Sequence, residues 1–153
     1  MRPFAYLITF FSAVLVCCHA GAQDADDAKK IQGAWEITEL VVGGKKVPEK
    51  DVKGMRFLFD KDKLTILPPA SDTGVVDKRT FTFKLDAKAK PAGVELTALD
   101  GENKGAISPG IYEVKGDTLR WCQSDDPKAK DRPKEFASPE KSSFYLFTFK
   151  RAK

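Results

Sequence analysis

The sequence predicts an all-β fold, an antiparallel up-and-down meander of about eight strands closing into a small barrel. Three observations lead there. Short runs rich in Val, Ile, Thr and aromatic residues recur at 34–42, 55–60, 63–67, 79–86, 93–99, 107–115, 118–123 and 143–151, which is the strand signature. Inside them apolar and polar residues alternate. Phe81, Phe83 and Leu85 fall on one side with Thr80, Thr82 and Lys84 on the other, and Val94, Leu96 and Ala98 oppose Glu95 and Thr97, so one face is wet. No stretch longer than the 48–53 loop has a 3.6-residue apolar period, which removes support for a helix-covered parallel sheet. Closure into a barrel disposes of the edge strands that invite aggregation.

The elements follow in order. Residues 1–22 read as a signal peptide: Arg2 supplies the positive charge, residues 4–17 the apolar stretch, and Ala20-Gly21-Ala22 a small-x-small cleavage site before Gln23. Leu15-Val16-Cys17-Cys18 also resembles a lipobox ending in Cys18, an alternative that anchors the chain by a lipid instead of releasing it. Residues 23–30 are polar, lack β-formers, and read as a flexible lead-in of at most one helical turn. The barrel domain then runs over 31–153. Turn chemistry sits at Gly43-Gly44, Asp60-Lys61-Asp62, Asp100-Gly101 and Lys115-Gly116-Asp117. Two longer connections interrupt the rhythm: 68–78, mobile by composition, and 124–142, broken by Pro127, Pro133 and Pro139.

Removing the 22-residue leader from 153 residues leaves 131, enough for one domain. The leader takes with it the only histidine, His19, and two of the three cysteines, Cys17 and Cys18. A mature chain with Cys122 as its single thiol has no internal disulfide and no route to Ser-His-Asp, Cys-His or His-zinc chemistry. The leader holds one base and no acid, so 26 Lys+Arg against 22 Asp+Glu becomes 25 against 22, about +3. Mixed runs such as Asp60-Lys61-Asp62-Lys63 make that a solvated surface, not a nucleic-acid stripe. Eight Phe, two Trp and two Tyr remain to build a core.

Candidate chemistry is sparse. Cys122, in Leu119-Arg120-Trp121-Cys122-Gln123, reads as a small buried hydrophobe, with a reactive thiol as the rival. The pairs Asp125/Asp126 and Glu113/Asp117 are candidates for acid/base or calcium chemistry, but they lie among lysines without calcium-loop spacing, so a solvated surface is the preferred reading. No phosphate-binding glycine loop is present. Arg132-Pro133-Lys134-Glu135-Phe136 has two readings. In one, Arg132 clamps an anion at the barrel mouth. In the other, Phe136 pins the long loop, Pro133 bends it, and Arg132 pairs with Glu135.

Four segments in order, Ile31 to Leu40 with its Gly33-x-Trp35, Gly44-Lys45-Lys46-Val47-Pro48, Gly110 to Cys122 and Arg132 to Phe136, resemble uncharacterised secreted lipocalin-like domains abundant in planctomycetes. The resemblance covers nearly the whole mature chain and implies a small β-barrel with no established activity and no functional residues to carry over. In the wider lipocalin-type pattern, Gly33 permits close backbone approach, Trp35 plugs the closed end, and a basic residue of the last strand stacks on the indole. Alternation of Tyr145, Phe147, Phe149 and Arg151 selects Arg151 over Lys150 for that part. The leading expectation is therefore a secreted or periplasmic, non-enzymatic domain, without cofactor or metal, that binds a small apolar or amphipathic ligand through Phe81, Phe83, Tyr112 and Arg132. The alternative is a solid-cored cell-envelope interaction or structural module working through loops 43–54, 68–78 and 124–142. A carboxylate-based hydrolase comes third. Neither nucleic acid nor a transmembrane segment of the mature chain enters any of these readings.

Overall fold

A computed structural model describes residues 22–69 and 78–153. Residues 1–21, with Cys17, Cys18 and His19, and most of the 68–78 connection lie outside the described residues. The chain forms α1 (Ala22–Lys30), β1 (Gly33–Val42), β2 (Lys45–Lys46), α2 (Glu49–Val52), β3 (Arg56–Asp60), β4 (Lys63–Leu67), β5 (Arg79–Asp86), β6 (Gly93–Ala98), β7 (Ile107–Lys115), β8 (Thr118–Ser124) and β9 (Phe144–Arg151). Every strand pairs antiparallel with its successor from β3 onward, β1 pairs with β3, and β9 returns to β1, so eight strands close a barrel and the two-residue β2 is an extra on β1. The all-β expectation holds. Among the described residues no helix is long and apolar enough to cross a membrane.

Alternation decides what faces inward. Trp35, Phe57, Phe59, Leu64, Phe83, Leu96, Leu119, Trp121, Phe147 and Phe149 are all buried in one cluster. Phe57 is its hub, with ring centroids 4.6 Å from Phe149, 5.4 Å from Phe147 and 6.3 Å from Trp121. Phe59 reaches across to Phe83 edge-on at 5.3 Å. Such contacts add roughly 0.5–1.5 kcal/mol each beyond area burial.

The lead-in departs from expectation. Instead of a frayed turn it is a nine-residue helix, and it closes one end of the barrel. Asp24 accepts from the Ala87 backbone N–H at the β5–β6 turn, Asp27 accepts from the Tyr112 hydroxyl on β7, and Gln32 exchanges two hydrogen bonds with Lys61 at the β3–β4 turn. These long-range bonds, not local propensity, order a segment whose polar composition suggested a loose end. Asp24 in the first turn and Lys29 and Lys30 in the last complement the helix dipole.

The same end carries the seam between β1 and β9. Trp35 is fully buried, donates its indole N–H to the Ile31 carbonyl at 2.7 Å, and lies opposite Arg151 in the ladder. The Arg151 guanidinium stands over the indole at 4.2 Å and donates to the carbonyls of Lys30 and Gln32. Gly33 has φ +99, and a Cβ there would face the Arg151 fork at 3.6 Å. Arg151→Lys keeps the charge but loses the fork and the planar stack. Urea unfolding is expected to show a loss of about 1–3 kcal/mol, and a loss below about 0.5 kcal/mol would mean the fork contributes little.

Candidate functional site

Along part of β6, β7 and β8, at Gly93, Pro109, Ile111, Cys122 and Ser124, outward-facing positions are as buried as the interior. Register places Asp86, Gly93, Ile111, Cys122 and Leu146 in one row across β5 to β9, and Ile111 and Cys122 have no exposed surface. Their cover is the 125–143 segment, which has no regular structure and lies as a strap against the outer wall. Four attachments hold it. Arg132 forms a salt bridge with Asp86 at 3.2 Å. Phe136 receives the Arg120 guanidinium over its ring at 4.4 Å, the Ala137 carbonyl accepts from the Cys122 thiol, and Ser138 binds both the Gly43 and Gly44 N–H groups and the Phe144 carbonyl.

Arg132 is thus not at a barrel mouth, and its ion-pair partner is Asp86, not Glu135. The reason lies at Gly93, an outward position where a Cβ would stand 2.0–2.7 Å from the guanidinium atoms. Only glycine leaves that seat open. Chain proximity suggested Glu135, but the strap carries Arg132 across to the β5–β6 turn before it returns. No periodic signal in the sequence marks such a crossing; Gly93 at the start of an otherwise regular strand was the one available clue.

The remaining candidate residues are dispersed. Phe83 is buried inside the barrel and Phe81 is half-buried on the inner face nearer the opposite end from α1. Tyr112 is buried with its hydroxyl on Asp27 at 2.9 Å. Burial, then the Asp27 hydrogen bond and the charges of Asp27, Asp24 and Asp86, push its phenol far above the ordinary tyrosine range. Cys122 is a free, buried thiol whose pKa burial raises to about 11. The carboxylate pairs do not converge: Glu113 pairs with Lys115 and lies 3.8 Å from Arg120, Asp117 meets Arg151, Asp125 accepts from the Tyr145 hydroxyl, and Asp126 accepts from the Lys128 N–H. Among the described residues no three His, Cys, Asp or Glu side chains are grouped to hold a metal ion.

Two clefts border the strap. One, of about 200 Å³, runs between Asp27, Pro91, Ala92, Tyr112, Val114 and Phe136; the other, of about 240 Å³, lies within the strap between Arg132, Glu135, Ala137, Pro139 and Phe144. Both are smaller than the roughly 300–1,000 Å³ of ordinary ligand pockets. No family model, curated protein or solved structure matches the chain. The geometry alone therefore carries the functional argument, and the strap is its largest distinctive feature.

Two outcomes follow from this arrangement. Gly93→Ala drives a methyl into the Arg132 guanidinium and lifts the strap. Cys122 should then react with a thiol reagent at least about tenfold faster at fixed pH, because burial both hides the sulfur and suppresses its thiolate; an unchanged rate would show the strap still seated. Tyr112 gives a pH signature. Its proton is held more tightly in the folded state than in the unfolded chain, where a phenol titrates near ~10. Its contribution is intact below about pH 10 and declines above it, by up to roughly 1.4 kcal/mol per pH unit. Urea unfolding between about pH 9 and 11 should show that decline in the parent and a shallower one in Tyr112→Phe.

Proposed function

We propose that this domain is an exported, non-enzymatic, solid-cored interaction module of the cell envelope or exterior, and not a carrier that stores a small molecule inside its barrel. A closed barrel agrees with lipocalin-like binding at the level of architecture. The observation that favours a solid module is the interior itself, where Trp35, Phe57, Phe59, Phe83, Trp121, Phe147 and Phe149 are buried against one another. Inward side chains that fill a small barrel leave a packed core, whereas carriers keep the middle empty.

Export and membership among the secreted lipocalin-like domains rest on the leader and on the four ordered motifs. The absence of His, metal and disulfide chemistry from the mature sequence supports a role in contact instead of turnover. Of the three loop regions that the alternative reading makes its working surface, the 124–142 loop spends its apolar residues on the barrel wall. It offers a partner chiefly exposed charged residues, Asp125, Asp126, Lys128, Lys130, Asp131, Lys134, Glu135, Glu140 and Lys141.

A small-ligand reading keeps one foothold. The cleft beside Tyr112, Val114 and Phe136 is half apolar in character, and its volume of about 200 Å³ suits a fragment. Native mass spectrometry of protein purified from its own host separates the two readings. The expected result is the mass of the chain after loss of the leader, with no bound small molecule and no fluorescence gain from an apolar dye. A stoichiometric retained ligand would overturn the solid-module reading.

A further inference from the structure

The strap covers one side of the barrel and does not reach the opposite wall, built from β3 to β6. On that wall the outward residues form two uncharged rows: Leu58, Thr65, Thr80 and Leu99, then Thr82, Thr97 and Ile107. Leu99 and Ile107 are the two exposed large hydrophobic residues of the described chain, at 37% and 53% exposure. In a protein with 31% charged residues, a surface of this kind has the make-up of an interface core, depleted in charge and ringed by it. Its rim holds Arg56, Asp60, Lys63, Lys84 and Glu95, all exposed. Among the described residues none of these five forms a salt bridge.

From this face we infer that the domain associates with a second copy of itself, wall to wall, about a two-fold axis that runs along the strands between β5 and β6. The inference rests on the reading of the domain as an interaction module and names its partner. The rim decides for a second copy. Lys84 and Glu95 are ladder neighbours on β5 and β6, so rotation about that axis sets each Lys84 opposite Glu95 of the other copy. The same rotation sets Thr82 against Thr97, and Thr80 against Leu99. A pair of opposite sign, Lys84 and Glu95, that complements itself suits an isologous contact, whereas nucleic acid or an anionic surface calls for a single-signed basic face.

Area sets the strength. Four strands at about 4.8 Å spacing and six residues at about 3.4 Å give a face of roughly 20 by 20 Å. Each copy then buries at most about 400 Å², about 800 Å² for the pair, which falls below the roughly 1,000 Å² of a stable contact and in the range of weak, transient ones. The dimer is expected to be weak and reversible, not permanent.

Sedimentation equilibrium over a concentration series tests this with charge reversals at exposed positions, each checked by thermal melting for an unchanged fold. Lys84→Glu alone sets four acids face to face, and Glu95→Lys alone sets four bases; each should weaken association at least about tenfold. Mixing the two single variants restores opposite charges across the axis, so the mixture should associate about as tightly as the parent. A parent protein that stays monomeric at about 1 mM, or a mixture no tighter than its components, would overturn the inference. Either result leaves the solid-module reading standing with a different partner, whereas a retained ligand removes that reading whatever the self-association shows.

Discussion

Closure of β9 on β1 is the constraint on which the rest depends. Among the described residues Cys122 is the one cysteine and is free, and no three His, Cys, Asp or Glu side chains are grouped to hold a metal ion, so burial and strand pairing hold the described barrel together. Trp35 and Arg151 stand opposite one another in that ladder, and the fork of Arg151 gathers the carbonyls that precede β1. Phe57 then meets Trp121, Phe147 and Phe149 across the barrel, and Phe59 meets Phe83 and Trp121. With the seam open, Phe147 and Phe149 would face water instead of Phe57, and two strands of the core would lose their partners.

Much of the architecture was legible in the chain. Strand positions, inward faces and closure all follow from period-two alternation, because an inside and an outside with such different dielectric leave that imprint on every strand. What escaped the reading shares one physical character: it depends on contacts between segments far apart in sequence. The helix over 22–30 owes its order to Tyr112, Ala87 and Lys61. Asp86 lies 46 residues from Arg132 and was hidden behind the nearer Glu135. Likewise β7 and β8 break clean alternation, with Ile111 beside Tyr112 and Trp121 beside Cys122 all buried. Such doubled apolar positions signal cover on both faces, and the sequence shows the doubling without showing what supplies the cover.

The candidate site was less readable than the fold for a related reason. Chemistry announces itself through spacing only where residues act locally, as in metal loops or phosphate cradles. Here Arg132, Cys122 and Phe136 belong to one surface through the return path of a long connection, and the aromatic candidates Phe83 and Tyr112 belong to the packed interior. Buried side chains with tight neighbours make poor ligand contacts. The uncharged outward rows of β4, β5 and β6 are built of threonines, short residues that draw little notice in a sequence.

The strap also has a mechanical side. It starts at the end of β8, reaches Asp86 on β5, and returns to tie Gly43 and Gly44 beside β1 to Phe144 at the start of β9. It crosses the barrel seam on the outside while Arg151 secures it at the far end. A cooper's hoop works in the same way, bearing tension so that the staves cannot spread. Pulling β9 away from β1 would have to break the Ser138 bonds along with the ladder, so the segment that looks most like a dispensable loop is the one whose shortening would loosen the whole cylinder.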